Sequence, residues 1–334
     1  MTDQSIYKFM YSNFVRYEVL TDLFNSTYIN SGVSLMQYYR SKKHVNIYID
    51  IISLYPQQLF IDPDPSRARI ISVNILNMAA HYRHYFRKTF GCSVDVYIIN
   101  GRRGINLDYY PDITFLQKAF DIVNIICKYL PTVYYIEENE DACVIAASTA
   151  SMEHLSSDAF IVSRNVLSYQ LPFMGLNKEV LRPGRQPKII TFNNALQLWS
   201  KSKTNISDLK SGLLPLVMAM NKCPELGLPT LANLSTVVKG IRAAIANKIF
   251  LNGYNTPSDI YVTKGIITQK VFSRWMLCDL TTMTSAYELS PSNLYAEATW
   301  KIKKHCDFGI ISKMIDDKIN SDPENILNYV YLVD

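Results

Sequence analysis

The sequence predicts an α/β fold with a mainly parallel central sheet. Apolar, β-branched segments that each end in a polar residue recur along the chain, at residues 44–50, 94–100, 132–137 and 159–165. Long apolar runs are typical of strands buried on both faces. Each later run follows a segment long enough for a crossover helix, which parallel strands require. Because ligands of open α/β sheets bind outside the carboxyl ends of the strands, the polar residues at these ends are candidate site residues.

The remaining segments complete a three-part organisation. Apolar residues at spacings of three and four from Tyr7 to Leu23 predict a helical N-terminal extension, residues 1–43, that packs on the sheet. Helices are predicted over 66–90 and 112–130, and a further short strand over 189–192. The α/β domain is then expected over 44–205 and a helical domain over 206–334.

Composition excludes several classes of protein. With 334 residues, 48% of them hydrophobic, the chain is able to bury a large core. The excess of 34 Lys and Arg over 29 Asp and Glu permits nucleic-acid contact without requiring it. Six cysteines without a C-x-x-C pair indicate reduced thiols rather than a disulfide frame or zinc site. The sequence shows no secretion signal and no membrane span, so we expect an intracellular protein, in the cytoplasm or with a replicating or packaged genome.

Acidic residues at the strand ends are the candidate metal ligands. Asp50 ends the first strand, and the densest acidic cluster, 137–141, follows the third. A helix starting there would place Glu138 and Asp141 on one face, where they could share a divalent cation with Asp50. The competing interpretations are that Asp50 caps the next segment and that the acids complement a helix dipole. Asp158 precedes its strand and belongs to the opposite edge.

Two basic groups are candidate phosphate contacts. Arg102 and Arg103 lie between two glycines after the second strand, where their guanidinium groups could form a fork over the shared edge. Arg83, Arg87 and Lys88 lie near the end of the predicted helix 66–90. The simpler explanation for the first group is that both arginines are solvated residues of a turn. For the second group it is that cations at a helix C-terminus complement the helix dipole.

The order of these motifs resembles the 5′-nuclease, or flap endonuclease, branch of the PIN-like nucleases over roughly residues 44–250. That family has an apolar strand ending in Asp, a Phe-Asp-Gly strand end, a Glu-x-Asp/Glu-Asp cluster and a Ser-x-Asp-x-Asp-x-x-Gln-Leu strand. A helix ending in Gly-x-Asp, a Gly-Leu-Pro turn and a helix-hairpin-helix unit follow. The matching positions here are Asp50, the acids Glu138, Glu140 and Asp141, the segment 163–171, and the turn before Pro229. The resemblance implies a PIN-like three-layer domain, with the four acids as catalytic residues and magnesium ligands.

The sequence departs from the family pattern where further acids are expected. Asn100 and Asn165 each replace an Asp, Leu167 replaces another, and Cys223 falls where the Gly-x-Asp acid would be. The segment after Pro229 lacks the glycines of a helix-hairpin-helix. Two-metal phosphodiester hydrolysis needs several carboxylates to offset the charge of both ions. The resemblance therefore implies at most one Mg²⁺ and weakened catalysis.

The leading expectation is a flap-endonuclease-like protein with a weakened or inactive site that acts as a nucleic-acid-binding accessory or structural component. DNA is favoured over RNA, a protein complex is a second candidate partner, and no membrane is expected. One alternative is an active Mg²⁺-dependent phosphodiesterase, a 5′–3′ exonuclease or flap endonuclease, with Glu137, Glu225 or Asp158 as replacement ligands. Another is an assembly protein that has kept the fold.

Overall fold

A computed structural model describes residues 13–29, 32–54, 66–101, 114–127, 130, 132–138, 158–174 and 178–195. Its centre is a six-stranded sheet in the order β3-β2-β1-β4-β5-β6. The strands are β1 His44–Asp50, β2 Ser93–Gly101, β3 Val133–Glu138, β4 Asp158–Val162, β5 Lys178–Arg182 and β6 Lys188–Ile190. The first five run parallel, and β6 is antiparallel to β5. The predicted α/β class and mainly parallel sheet are confirmed.

Helices lie between and before the strands. They are α1 Tyr17–Ser26, α2 Leu35–Arg40, α3 Ile51–Leu54, α4 Ser66–Phe90, α5 Thr114–Cys127, a 3₁₀ helix Val166–Gln170, and α6 Leu171–Met174. The long helices α4 and α5 provide the connections from β1 to β2 and from β2 to β3, as parallel pairing requires. Among the described residues, no helix combines the length and apolar character needed to cross a membrane.

An aromatic cluster joins the N-terminal helices to the sheet. Phe24 of α1, Tyr39 of α2 and Phe86 of α4 pack with Phe160 of β4, and all four side chains are fully buried. Ring centroids of Phe86 and Phe160 are 4.9 Å apart, and those of Phe24 and Phe160 are 5.5 Å apart. Offset and edge-on aromatic contacts at such distances add to the stabilisation from apolar burial. The helices before β1 are therefore part of the same core as the sheet.

Strands β4 and β6 end earlier than predicted, whereas β2 and β3 each extend one residue further. β4 ends at Val162 and not at Asn165, because the main-chain oxygen of Asn165 instead accepts hydrogen bonds from the Ser168 N–H, at 3.1 Å, and the Ser168 hydroxyl, at 2.6 Å. These bonds begin the 3₁₀ helix. The strand predicted over 189–192 is β6, Lys188–Ile190. Its connection to β5 is too short for a crossover, so only antiparallel pairing is available.

Candidate functional site

The carboxyl ends of β2, β1 and β4 lie side by side and bring three polar positions to one edge. Asp50 is paired in register with Ile99, next to Asn100, and Ile49 is paired with Val162, next to Ser163. From β1 the chain continues to β2 on one side of the sheet, and from β4 it continues to β5 on the other side. The strand order therefore reverses between β1 and β4, and open α/β sheets bind ligands at such a switch point. The chain thus places its first strand-end acid where this architecture binds ligands.

Asp50 is a buried carboxylate held by neutral donors. Its side chain accepts a hydrogen bond from the Ser163 hydroxyl at 2.7 Å on Oδ2 and from the Ser53 N–H at 3.2 Å on Oδ1. Asp50 is 1% exposed, and burial raises the pKa of its carboxyl, an effect that these hydrogen bonds partly offset. No basic side chain among the described residues lies within salt-bridge distance of it. A cation bound at this position would replace the solvation that burial removes.

Ser53 and Ser163 connect the loop after β4 to the end of β1. Their hydroxyl oxygens are 3.2 Å apart, and the Ser53 hydroxyl also donates to the main-chain oxygen of Asp50 at 3.1 Å. The N–H groups of Arg164 and Asn165 donate to the Ser53 and Ser163 hydroxyls, respectively, each at 2.9 Å. The two serines therefore set where the loop passes Asp50. They were not predicted as site residues, although Ser163 opens the fourth motif and Ser53 lies three residues after the acid.

Asn100 presents an oxygen at the same edge. Its side chain is buried, and its Nδ2 donates to the Tyr135 hydroxyl at 3.0 Å. Its Oδ1 is also buried and has no hydrogen-bond partner among the described residues. Leaving such an acceptor unsatisfied costs about 1–3 kcal/mol. Amide oxygens are ligands of hard divalent cations, so the free acceptor is chemically suited to one.

Asn165, the other predicted replacement of an acid, is buried beside this site. It lies three residues beyond the end of β4, and its main chain bonds to Ser163 and Ser168. The fold therefore brings Asp50, Asn100 and Asn165 to the same edge of the sheet, as their positions after parallel strands predicted.

The acidic cluster is only partly within the described residues, and one expectation for it is wrong. Glu138 is the last residue of β3, paired with Gly101, and does not begin a helix. Strand pairing with β2 continues to this residue. Glu140, Asp141, Arg102 and Arg103 lie outside the described residues, as does everything after residue 195.

The second basic group lies at the other edge of the sheet. Helix α4 ends at Phe90, just before β2 begins at Ser93, so Arg83, Arg87 and Lys88 are near the amino-terminal ends of the strands. Seven residues of β-strand separate this edge from Asn100, which corresponds to about 20 Å. These cations cannot contact the same phosphate group as Asp50.

Asp158 is also at the amino-terminal edge, as predicted, where it pairs in register with Val45. Its carboxylate is 3.1 Å from the Lys42 ammonium and accepts a hydrogen bond from the Tyr38 hydroxyl. The interpretation of Asp158 as a replacement metal ligand beside Asp50 is therefore wrong, because the two acids lie at opposite ends of their strands.

Within the described part of the chain, no three His, Cys, Asp or Glu side chains are grouped so that they could hold a metal ion. Asp50 is the one predicted metal ligand whose side-chain surroundings are described. Its burial without a basic partner and the unpartnered Oδ1 of Asn100 fit a single cation with oxygen ligands. Neither models of protein families nor curated protein sequences match this chain.

Proposed function

We propose that this chain is a nucleic-acid-binding accessory or structural protein built on a 5′-nuclease-like domain whose catalytic edge has lost charge. The observation that carries the proposal is that one buried acid, Asp50, and one buried amide, Asn100, lie at the ends of neighbouring strands beside the switch point of a mainly parallel sheet. An acid in place of Asn100 would restore one of the carboxylates that the family resembled by this sequence has at its strand ends.

The charge of this edge favours weak catalysis. Two divalent cations carry four positive charges, and an efficient two-metal site offsets them with several carboxylates. The described part of the edge supplies one carboxylate from Asp50 and neutral oxygens from Asn100 and Ser163. Such a set is suited to one Mg²⁺, for which the resemblance adds Glu138, Glu140 and Asp141. A bound Mg²⁺ would supply positive charge for a phosphate oxygen of the nucleic acid.

Phosphate contacts at this edge are assigned to Arg102 and Arg103. In the sequence they directly follow Gly101, the last residue of β2. Guanidinium groups bind phosphate through paired N–H donors, and counterion release then makes the affinity depend on salt. The resemblance favours DNA as the nucleic acid.

The test combines cleavage and binding on one flap or nicked DNA substrate with Mg²⁺ or Mn²⁺. We expect binding whose affinity falls steeply with salt, weakens in Arg102→Ala/Arg103→Ala, and is accompanied by little cleavage. Asn100→Asp restores a carboxylate at the position of the unpartnered Oδ1 and should increase both Mg²⁺ affinity and cleavage. Asn46→Asp, on the same strand as Asp50 but near the opposite edge, is the matched control.

Two outcomes would contradict the proposal. Robust cleavage by the unmodified chain that is abolished in Asp50→Ala would show an active nuclease. If the chain shows neither salt-dependent DNA binding nor cleavage, the alternative of an assembly protein that has kept the fold would be favoured.

A further inference from the structure

A cleft of about 430 Å³ opens at the amino-terminal edge of the sheet, about 20 Å from Asp50. The described part of its wall consists of the end of α4, the turn 91–94 into β2, and Thr132 before β3. Small-molecule sites in proteins commonly have volumes of about 300–1,000 Å³. The cleft therefore has the size of a binding site, although it is remote from the site described above.

Two arginines give the cleft a positive wall. Arg83 and Arg87 are four residues apart on α4 and so project from the same face of the helix. Among the described residues, no carboxylate lies within salt-bridge distance of Arg87. Burial raises the pKa of the Cys92 thiol, and the charge of Asp158 adds to this rise, so Asp158 lies near the cleft. The Asp158 carboxylate forms a salt bridge with the Lys42 ammonium at 3.1 Å. A second carboxylate, Asp95, has its pKa raised by burial and lowered by the charges of His44, 3.5 Å away, and of Arg83. Arg87 is therefore the cation of this wall that has no carboxylate partner among the described residues.

Thr132 adds a polar group whose placement costs energy. Its φ of 60° is in the left-handed region, which β-branched residues rarely adopt. Its main-chain oxygen accepts a hydrogen bond from the Val96 N–H at 2.8 Å, which anchors the residue beside β2. Its Oγ1 is buried and has no hydrogen-bond partner among the described residues. A strained residue with an unsatisfied hydroxyl in the same cleft as two arginines is an arrangement that an oxyanion would complete.

We propose that this cleft binds a phosphate monoester, with Arg83 and Arg87 contacting its oxygens and the Thr132 hydroxyl donating a further hydrogen bond. Guanidinium groups match the geometry of phosphate oxygens, and the negative charge of a monoester complements the arginines of the cleft wall. Among the described residues of the cleft wall none is aromatic, and the two arginines and Thr132 direct recognition at the phosphoryl group. The phosphate belongs either to a small metabolite or to the 5′ end of a nucleic-acid strand. The inference does not depend on the function proposed above.

The experiment is a calorimetric titration of the full chain with inorganic phosphate, AMP, and a short single strand carrying either a 5′-phosphate or a 5′-hydroxyl. We expect saturable binding of phosphate and of AMP. Arg87→Gln should weaken it about tenfold or more, as loss of a charge-assisted contact does. Thr132→Val keeps the shape and branching of the side chain, and should weaken binding several-fold. Arg40→Gln makes the same charge change on the exposed end of α2 and should leave the affinity unchanged.

The comparison of ligands identifies the source of the phosphate. Tighter binding of the 5′-phosphorylated strand than of AMP would identify a strand end, and equal binding would identify a small phosphorylated compound. The inference is overturned if phosphate does not bind, or if Arg87→Gln weakens binding no more than Arg40→Gln. It is also overturned if AMP does not bind and the strands with and without a 5′-phosphate bind equally, since the contact would then be to the sugar-phosphate backbone.

Discussion

Glu179 should make the stability of this protein fall as pH rises from about 4.5 to 7. The residue is the second of β5, is fully buried, and accepts a hydrogen bond from the Tyr39 hydroxyl. Burial raises the pKa of its carboxyl from 4.5 to about 7. The Tyr39 hydrogen bond and the charges of Lys178 and Lys42 oppose this rise, whereas Asp158 adds to it. The folded protein therefore holds a proton on Glu179 at pH values where the unfolded chain has released it.

The size of the effect follows from the difference between the two pKa values. Each unit of pKa difference corresponds to about 1.4 kcal/mol, so a rise from 4.5 to about 7 amounts to about 3 kcal/mol. Since the folded state binds the proton more tightly, this stabilisation is complete below pH 4.5. It is lost progressively as the pH rises to 7 and does not change further above it. For an ordinary salt-bridged carboxylate, whose pKa is lowered by folding, the free energy of unfolding would instead rise with pH.

The assay is urea denaturation of the unmodified chain and of Glu179→Gln across this pH range. Glutamine has nearly the same volume and still accepts the Tyr39 hydrogen bond, but it does not titrate. The difference in free energy of unfolding between the two proteins should change by about 3 kcal/mol between pH 4.5 and 7.5. Glu18→Gln, an exposed acid on α1, is the control and should parallel the unmodified chain. Parallel curves for the unmodified chain and Glu179→Gln would refute the reasoning.

Three further changes test the candidate site and the core. Asp50→Asn should abolish any increase in melting temperature caused by Mg²⁺, whereas Asp22→Asn on the exposed face of α1 should retain it; equal responses would remove Asp50 from the cation site. Ser163→Ala should lower the free energy of unfolding by about 1–3 kcal/mol, because it leaves a buried carboxylate oxygen without its donor, and a urea titration showing no loss would contradict this. Phe24→Ala should cost about 3–5 kcal/mol in the same assay, because it empties the centre of the aromatic cluster, whereas Tyr28→Ala, at an exposed position, should cost far less.

Local patterns in the sequence were sufficient for several elements. The run from His44 to Asp50 and the helix from Ser66 to Phe90 have the predicted bounds, because an apolar β-branched run and a helical period are properties of neighbouring residues. The position of Asp50 at a strand end follows from the same pattern. The ends of elements depend on competing hydrogen bonds, which is why β4 stops before Asn165 and β3 extends through Glu138.

The contacts of the candidate site depend on residues that are distant in the chain. Ser163 is 113 residues from Asp50, and their hydrogen bond exists because β4 pairs with β1 and not with β3. The contact between Tyr39 and Glu179 arises in the same way. No local pattern specifies such a pairing, so the contact of Ser163 with Asp50 and the raised pKa of Glu179 had no sequence signal.

The amino-acid sequence by itself determined that this is an α/β protein with polar residues at the ends of buried strands. Only the tertiary structure decided which of those strand ends are neighbours, placing Asn100 beside Asp50 and Ser163 within hydrogen-bond distance of it. The physical reason is that periodicity and propensity act over a few residues. Strand order and register are instead set by hydrogen bonding and packing between segments far apart in the chain.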